Sequence, residues 1–301
     1  MRIAVIGAGA IGMLVGARLQ LSGHDVTWYV RRSQQFELLQ RNGFQLDNQL
    51  IYPVQIEICS ELNRTIDVVI WTIKQTQLND DILMWAAERF GQAPYWISFQ
   101  NGIGHQRFYS KWVSFEKMVY AVTTEAAYKM SDQLVQHTGI GQTWFGTYGE
   151  TSVSQWLQEW VTSWVESGFV GHAVRTIEPM ILKKWIVNCV VNPLTAIYRV
   201  RNGQLMEREE LRTKAKELFL EIVLVLGESS FQQQVQMTSE ELWAWIQEVC
   251  VRTASNHSSM LQDVLNEKPI EWQALNGELI RMATEKKIVL PLHNWLKEQL
   301  Q

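Results

Sequence analysis

The order of apolar and polar residues divides the chain into two parts. In the first part, apolar runs such as residues 2–6 and 65–74 alternate with segments of helical periodicity, which indicates a parallel sheet with crossover helices. After a strand-rich stretch at 118–149 and one more helix, the pattern becomes almost wholly helical. We therefore predict an α/β domain over residues 1–175, followed by an all-helical domain over residues 176–301.

The same patterns predict individual elements. Further strands are expected at 25–30, 95–102 and 169–174, together with a hairpin over residues 43–58. Helices of the first domain are expected at 34–42, 77–91 and 151–167. Helices of the second domain are expected at 180–199, 205–234, 238–256, 258–265 and 271–286.

A glycine-rich loop, GAGAIG, follows the first strand and opens the first helix. It comprises Gly7, Ala8, Gly9, Ala10, Ile11 and Gly12, with the glycines at G-x-G-x-x-G spacing. Glycines at these positions permit a tight turn, close approach of a pyrophosphate and close packing of the helix on the strand. The loop therefore predicts a Rossmann dinucleotide-binding domain. The alternative is a glycine turn in a doubly wound domain that binds no nucleotide.

The end of the second strand indicates which dinucleotide binds. NAD sites usually place an acidic residue there, whereas this chain has Arg31 and Arg32. Guanidinium groups can pair with a 2′-phosphate, so the sequence favours NADPH. Arg31 is the preferred contact because it comes first off the strand. A pair of solvated arginines is the alternative.

Two other strand ends carry polar residues. Lys74 and Asn101 come at the ends of the third and fourth strands of the predicted parallel sheet, where open α/β sheets bind ligands. Lys74 can contact the cofactor phosphates or the neighbourhood of the substrate, and Asn101 can bind the nicotinamide ribose or the substrate. Each residue taken alone fits loop capping equally well.

A polar stripe runs along the first helix of the second domain. Lys184, Asn188 and Asn192 are spaced four residues apart and share one side of that helix. Hydride transfer to a ketone creates an alkoxide that needs a proton, and a lysine in a partly dry cleft can supply it. An ordinary surface stripe explains the spacing equally well. Lys183 is expected to be solvated, and Pro193, which lacks an N–H group, is expected to bend the helix.

Composition narrows the class of protein. The net charge is −4 without a long basic run, which favours neither nucleic acid nor an anionic membrane as a partner. The longest apolar runs are too short to span a bilayer, and the first strand begins directly after Met1, so we expect no cleaved signal and a cytoplasmic protein. Cys59, Cys189 and Cys250 have no metal-binding spacing, so we expect small buried thiols and no metal.

Several motifs together resemble the ketopantoate reductase family. They are GAGAIG at 7–12, TIK at 72–74, QNG at 100–102, KKWIVNCVVNPLTAI at 183–197, SSMLQD at 258–263 and IEWQALNG at 270–277. The resemblance extends from residue 1 to about residue 290, and VNCVVNPLTAI and SSMLQD are its most specific parts.

The resemblance implies NADPH-dependent reduction of 2-dehydropantoate to (R)-pantoate in pantothenate and coenzyme A biosynthesis. The implied fold is a Rossmann domain followed by a helical domain, with the active site in the cleft between them. Lys184 would be the general acid, Glu271 would bind the hydroxyl of the substrate, and Ser259 would bind its carboxylate. Judged from the residues alone, Ser259 fits helix capping and Glu271 fits a favourable charge at a helix N-terminus.

The remaining site residues are carried over in the same way. Asn188, Asn192 and Asn256 would line the substrate pocket, and Asn101 would bind both cofactor and substrate. Arg31 would hold the 2′-phosphate of NADPH, and Lys74 would be a lysine on the cofactor side.

The resemblance leaves some points open. Glu125, in AVTTEAAYK at 121–129, is an unexpected acid in a region that the resemblance places near the nicotinamide. The rival hypotheses are a reductase of a different branched 2-oxo or acetohydroxy acid, and a non-catalytic NADP-sensing protein. The expected partner is a small 2-oxo acid, and the chain is expected to be a monomer or a homodimer.

Overall fold

A computed structural model of the chain describes residues 1–52, 55–57, 65–92, 94–149 and 152–300. They form two compact units. Unit 1 comprises Met1–Gln100 and His105–Ile177, and unit 2 comprises Asn101–Gly104 and Glu178–Gln301. The predicted fold class is confirmed, because unit 1 is a mixed α/β sheet domain and unit 2 is helical.

Unit 1 contains all of the described strands. They are β1 (Arg2–Ile6), β2 (Asp25–Tyr29), β3 (Phe44–Leu46), β4 (Gln49–Ile51), β5 (Gln55–Glu57), β6 (Val68–Trp71), β7 (Tyr95–Ser98), β8 (Met118–Thr123), β9 (Ala126–Ser131), β10 (Leu134–Gly139), β11 (Thr143–Gly146) and β12 (Gly171–Ala173). Its α-helices are α1 (Ala10–Leu21), α2 (Ser33–Asn42), α3 (Asp80–Phe90), α4 (Gln106–Tyr109) and α5 (Gln155–Glu166).

The main sheet has the strand order β5-β2-β1-β6-β7-β8-β11-β12. The strands from β5 to β8 are parallel, and β11 runs antiparallel to β8. From the centre the order therefore runs through β1, β2 and β5 on one side and through β6, β7 and β8 on the other, as in Rossmann domains. The switch point lies between β1 and β6, where such sheets bind ligands beyond the carboxyl ends of the strands.

The predicted hairpin over residues 43–58 is only half right. Strands β3 and β4 form an antiparallel hairpin around Asp47, whose φ is +54°, in a second sheet of order β4-β3-β10-β9. Strand β5 instead pairs in parallel with β2 at the edge of the main sheet. The side chain of Ile56 is buried in the core of unit 1, which favours that pairing over an extension of the hairpin.

Helix α1 packs closely on strand β2. A Cβ atom added to Gly16 would overlap the indole of Trp28, and Trp28 Nε1 donates a hydrogen bond to the carbonyl oxygen of Gly12 at 3.1 Å. A Cβ atom on Gly12 would instead overlap the carbonyl oxygen of Gly7 and Oγ1 of Thr72, so the two glycines permit close packing against different neighbours.

Unit 2 contains eight described α-helices and a π-helical turn. The helices are α6 (Glu178–Tyr198), α7 (Gln204–Glu207), α8 (Glu209–Leu226), α9 (Glu228–Val235), α10 (Ser239–Arg252), α11 (Ser259–Leu265), α12 (Glu278–Glu285) and α13 (Pro291–Leu300). The π-helical turn spans Gln273–Gly277 and leads directly into α12.

The single helix predicted over 205–234 is wrong. The structure has α7, α8 and α9 there, because Arg208 takes an extended conformation after α7 and Gly227, with φ +79°, ends α8. A left-handed glycine is a common helix terminator, and the periodicity does not reveal it. Helix α13 was not predicted at all.

Helix α6 is the centre of the core of unit 2. Trp185, Ile186, Cys189 and Val190 are fully buried on it, and α8, α9 and α11 pack around it. Among the described helices it alone has the length and hydropathy of a membrane span, but 67% of its apolar window is buried inside the structure, as in a core helix. The prediction of buried thiols is confirmed for Cys189 and Cys250, and Cys59 lies outside the described residues.

A carboxylate on α8 caps the N-terminus of α13. The two oxygens of Glu221 accept hydrogen bonds from the backbone N–H groups of Leu292 and His293 at 2.9 and 3.0 Å, and Oε2 lies 2.6 Å from Nδ1 of the fully buried His293. Burial alone would raise the pKa of Glu221, but these hydrogen bonds outweigh it and lower the pKa below its ordinary value. The ionised carboxylate therefore fastens α13 to α8.

We expect Glu221→Ala to lower the free energy of unfolding by about 2 kcal/mol near neutral pH, because it leaves buried donors of α13 unpaired. Thermal denaturation followed by tryptophan fluorescence measures the loss. Since the folded-state pKa of Glu221 is lowered, its contribution is present above the ordinary glutamate pKa of 4.5 and is lost as the pH falls through the lower, folded-state value.

The matched control is Glu217→Ala, which removes an exposed carboxylate one turn earlier on the same helix. We expect a change within about 0.5 kcal/mol for it. Equal losses for the two variants would contradict the capping role of Glu221.

Candidate active site

The glycine loop of unit 1 is shaped to receive a phosphate group. Gly7 has φ +107°, and a Cβ atom on Gly12 would overlap the carbonyl oxygen of Gly7, so a side chain at either position would displace the loop. Gly9 is exposed, and no described atom lies within 4 Å of the place that its Cβ would occupy. It also precedes α1 without a side-chain cap, which leaves the first N–H groups of the helix to a ligand. The loop therefore fits a dinucleotide pyrophosphate.

The carbonyl groups of this loop are held by three other elements. Gln35 Nε2 on α2 and Lys129 Nζ on β9 both donate to the carbonyl oxygen of Ala8, at 3.1 and 2.8 Å. Thr72 Oγ1, just after β6, donates to that of Gly7 at 2.9 Å. These three supporting side chains were not predicted, because no motif marks them and Lys129 is 121 residues away from Ala8.

The structure distinguishes the two arginines after β2. Arg32 Nη2 lies 2.5 Å from Asp132 Oδ1 and 3.2 Å from Gln35 Oε1. Arg31 is exposed, and no hydrogen bond or ion pair to it is present within the part of the chain that the structure describes. Lys74 is partly buried and begins a short 3₁₀ helix at Gln75–Gln77 after β6. Arg31 is thus the arginine that remains available to a ligand phosphate.

The unexpected acid Glu125 is buried and paired. Its Oε2 lies 2.6 Å from Nε2 of His137 on β10, and its backbone N–H donates to Thr123 Oγ1. A Cβ atom on Gly141 would overlap the backbone at Thr124 and Glu125, so the turn after β8 is packed tightly. The carboxylate is therefore part of the internal structure of unit 1.

In unit 2, the stripe on α6 is less exposed than a surface stripe. Lys184 and Asn188 are partly buried, and Asn192 is buried with 5% of its surface exposed. Lys183, which was expected to be solvated, is also partly buried, and desolvation lowers its pKa. The stripe is therefore more buried than a fully exposed helix face.

The amine of Lys184 is the most perturbed cation of this stripe. Desolvation lowers the pKa of Lys184 to about 8, and the negative charge of Glu271 opposes part of that shift. Glu271 is buried, with 8% of its surface exposed, and lies just before the π-helical turn. An amine with this pKa is largely protonated at neutral pH and yet gives up its proton more readily than an ordinary lysine.

Hydroxyl and amide groups line the next turns of α6. Asn192 Nδ2 lies 3.4 Å from Oγ of Ser259, whose side chain is exposed at the start of α11. Ser258 caps α11 by accepting the N–H of Leu261 at 3.1 Å, and its Oγ lies 2.6 Å from that of Thr195 on α6. The capping role weighed for Ser259 thus belongs to Ser258, and the hydroxyl of Ser259 lies beside the amide of Asn192 instead.

The loop Asn101–Gly104 belongs to unit 2, although it follows β7 of unit 1. Gly102 has φ +85°, and a Cβ atom there would overlap the carbonyl oxygen of Ala274 in the π-helical turn. The N–H of Ile103 donates to the same oxygen at 3.4 Å. Asn101 is therefore held against the turn that follows Glu271.

Pro193 does not end α6, which continues as a helix to Tyr198, and the predicted bend remains a prediction. Because proline has no N–H group, the carbonyl of Cys189, four residues earlier, loses its helical donor. Asn276 Nδ2, in the π-helical turn, donates to that oxygen at 2.8 Å. The sequence analysis missed Asn276, although it stands in the IEWQALNG motif that was quoted for the resemblance.

The predicted site residues thus form two groups. Unit 1 carries the glycine loop, Arg31 and Lys74, and unit 2 carries Asn101, Lys184, Asn188, Asn192, Asn256, Ser259 and Glu271. Asn256 is partly buried in the turn before α11. Among the described residues no cluster of His, Cys, Asp and Glu has the arrangement of a metal site.

Fold and motifs define a class of protein, the two-domain oxidoreductases built from a Rossmann domain and a helical domain. The chain belongs to the ketopantoate reductase family. The model named ketopantoate reductase PanE/ApbA matches residues 3–150, and the model named ketopantoate reductase PanE/ApbA C terminal matches residues 176–301.

Individual relatives agree with this assignment. The chain is 29% identical to the 2-dehydropantoate 2-reductase of Bacillus subtilis (strain 168), with 94% of this chain and 91% of the relative covered. It is 27% identical to that of Vibrio cholerae, with 100% and 97% covered.

Solved structures show the same fold. A Bacillus subtilis structure described as a probable 2-dehydropantoate 2-reductase is similar with a TM-score of 0.80 and 26% identity, covering 100% of this chain and 99% of that one. D-mandelate dehydrogenase, solved with NADH and anilino(oxo)acetate, has the same fold with a TM-score of 0.89 at 22% identity, covering 100% and 97%.

We expect the amine of Lys184 to titrate near pH 8 in the folded protein, because its desolvation disfavours the charged form. NMR of lysines labelled by reductive ¹³C-methylation measures this pKa, and Lys184→Arg assigns the signal. Glu271→Gln should lower the pKa further, because the carboxylate stabilises the ammonium ion.

Glu267→Gln removes an exposed carboxylate nearby in sequence and serves as the control, with no shift expected. A Lys184 signal that titrates like the exposed lysines would show that its amine is fully hydrated.

Proposed function

We propose that the protein reduces 2-dehydropantoate to (R)-pantoate with NADPH, in pantothenate and coenzyme A biosynthesis in the cytoplasm. The observation that carries this proposal is the partly desolvated amine of Lys184 beside Glu271, on the helix that holds Asn188 and Asn192. The membership of the ketopantoate reductase family supports the substrate, and the glycine loop supports a dinucleotide cofactor.

The proposed chemistry needs one hydride and one proton. NADPH, when bound, supplies the hydride to the keto carbon, and Lys184 donates its proton to the keto oxygen, so that the ketone becomes a secondary alcohol. Desolvation lowers the pKa of Lys184 and makes the ammonium group a stronger acid, while the charge of Glu271 opposes part of that shift. The two opposing effects together place its pKa close to the pH at which it must act.

The substrate contacts are proposed from the polar groups around Lys184. The hydroxyl of Ser259, an exposed residue, would bind the carboxylate of the substrate, and Glu271 would accept a hydrogen bond from the hydroxyl group of the substrate. Asn192, whose amide lies within 3.4 Å of Ser259 Oγ, would orient that hydroxyl. Fixing both ends of the substrate would present its keto group to Lys184 in one orientation. Such orientation lowers the entropic part of the activation barrier.

The preference for NADPH is proposed from Arg31. Its guanidinium group is exposed at the end of β2, where NAD-binding domains have a carboxylate. The neighbouring Arg32 is held by Asp132 and Gln35 and is less free to meet a phosphate. Lys74, after β6, is proposed as a second cationic contact on the cofactor side.

Lys184→Ala should lower kcat for 2-dehydropantoate by about two or more orders of magnitude, because the general acid is lost. The wild-type kcat should also fall above about pH 8, as Lys184 loses its proton. Both effects are measured by the loss of NADPH absorbance.

Lys183→Ala, next to Lys184 on α6, is the matched control and should keep most of the activity. A near-normal kcat for Lys184→Ala would contradict the assignment of the acid. Other branched and aromatic 2-oxo acids and acetohydroxy acids belong in the same assay, since faster turnover of one of them would identify a different substrate. Absence of turnover with every acid would favour an NADP-sensing protein.

Arg31→Ala should raise the KM for NADPH by about tenfold or more and leave the KM for NADH nearly unchanged, because only NADPH carries the 2′-phosphate. Initial rates with each nucleotide at saturating 2-oxo acid measure the two constants.

Arg32→Ala is the matched control, and its effect on the two nucleotides should be smaller and similar. If Arg31→Ala affects NADH and NADPH equally, another residue reads the phosphate or the protein does not distinguish the two cofactors.

A further inference from the structure

Helix α6 and the π-helical turn are joined by two hydrogen bonds. Asn276 Nδ2 donates to the carbonyl oxygen of Cys189 at 2.8 Å, and Trp185 Nε1 donates to that of Leu275 at 3.3 Å. Asn276 and Trp185 are fully buried, so water does not compete for either bond.

The bond from Asn276 depends on Pro193. In an uninterrupted α-helix, the carbonyl of Cys189 would accept the N–H of residue 193. Its hydrogen-bonding requirement would then be met within the helix, without a donor from a neighbouring element. Proline at 193 removes that donor and leaves a buried acceptor, whose desolvation is costly unless another donor reaches it. Asn276 supplies the donor. The Oδ1 atom of Asn276 is buried and has no hydrogen-bond partner among the described residues. Within that part of the chain, the side-chain amide is therefore held by its hydrogen bond to Cys189.

The bond from Asn276 to Cys189 lies close in sequence to residues of the proposed site. Cys189 follows Lys184 by five residues and precedes Asn192 by three, while Asn276 follows Glu271 by five. The bond therefore links the two elements that carry Lys184 and Glu271. Since the interaction of two charges depends on their separation, loss of this link is expected to weaken the effect of Glu271 on the ammonium group.

We propose that Asn276 is a positioning residue, which holds the Lys184 helix and the Glu271 segment in register through the carbonyl that Pro193 leaves without a donor. It touches neither substrate nor cofactor and acts through Cys189. The inference rests on the proposed function for its effect on turnover, but its effect on the amine of Lys184 is independent of any substrate.

The test is a double-variant comparison of Asn276→Leu and Pro193→Ala. Leucine matches asparagine in size and cannot donate, so Asn276→Leu removes the bond to Cys189 and leaves that carbonyl unpaired, while the bond from Trp185 to Leu275 is untouched. Alanine at 193 restores the backbone N–H, so in the double variant the carbonyl is satisfied within the helix although the bond from Asn276 remains absent. The comparison thus separates the satisfaction of a buried carbonyl from the positioning of two elements.

We expect Asn276→Leu to lower the melting temperature, to lower kcat by about tenfold or more with a smaller change in KM, and to lower the pKa of Lys184. In the double variant the melting temperature should recover, while kcat and the Lys184 pKa should stay low. Pro193→Ala alone should keep both near their wild-type values, because Asn276 still holds the carbonyl. The full-length protein, NADPH with 2-dehydropantoate, and NMR of ¹³C-methylated lysines provide the three readouts.

If kcat and the Lys184 pKa recover together with the melting temperature in the double variant, the proposal is overturned, because Asn276 would then only satisfy the carbonyl of Cys189. If Asn276→Leu does not fold, the double variant is compared with Pro193→Ala alone, and equal kcat and equal Lys184 pKa would also overturn it. A wild-type protein that does not turn over 2-dehydropantoate would refute the proposed function, whereas the Lys184 pKa would still decide whether Asn276 positions the pair.

Discussion

The partial desolvation of the Lys184 amine is the constraint on which the proposed site in unit 2 depends. Lys184 stands on a helix whose other side is fully buried, and desolvation brings its pKa down to about 8. A buried ammonium ion destabilises a fold unless charge or hydrogen bonds compensate it, and Glu271 supplies the opposite charge. Asn188 and Asn192 add polarity to the same side of the helix without adding charge. The stripe is therefore a costly feature of a core helix, and such features concentrate at functional sites.

Unit 1 imposes a different constraint, which is steric. The glycine loop is closed by a contact between Gly7 and Gly12 that no side chain can enter, and it is open above Gly9. Hydrogen bonds from Gln35, Lys129 and Thr72 hold the carbonyl groups of the loop, so its shape exists before any ligand arrives. Preorganisation of this kind reduces the ordering cost of binding. The loop and the amine belong to separate units, and the proposed function gives phosphate binding to the one and proton donation to the other.

The sequence revealed the features that are local in the chain. The glycine spacing, the arginines after β2 and the stripe on α6 can be read from neighbouring residues, and the alternation of strands and helices was enough for the fold class. Features that join distant residues were missed, such as the contact of Lys129 with Ala8 and the cap that Glu221 provides for α13. The π-helical turn was not predicted either, because apolar periodicity over five residues cannot distinguish i→i+5 from i→i+4 hydrogen bonding. Asn101 belongs to unit 2, where the neighbouring Gly102 packs against Ala274, and no motif encodes that contact.

Pro193 in α6 is a local feature of the sequence whose structural effect involves a residue that is distant along the chain. Taken from the sequence, it suggested a bend and explained little about the site. In the structure, the helix continues through it, and its effect is to free one buried acceptor at Cys189. A helix with a complete set of internal hydrogen bonds offers its neighbours only side chains, which pack without strong directional preference. A buried carbonyl without a helical donor is stabilised by a donor that approaches it along a particular direction. Asn276, in the turn that follows Glu271, supplies that donor. The local loss of one helical bond thereby becomes a directional attachment between the two elements that carry Lys184 and Glu271.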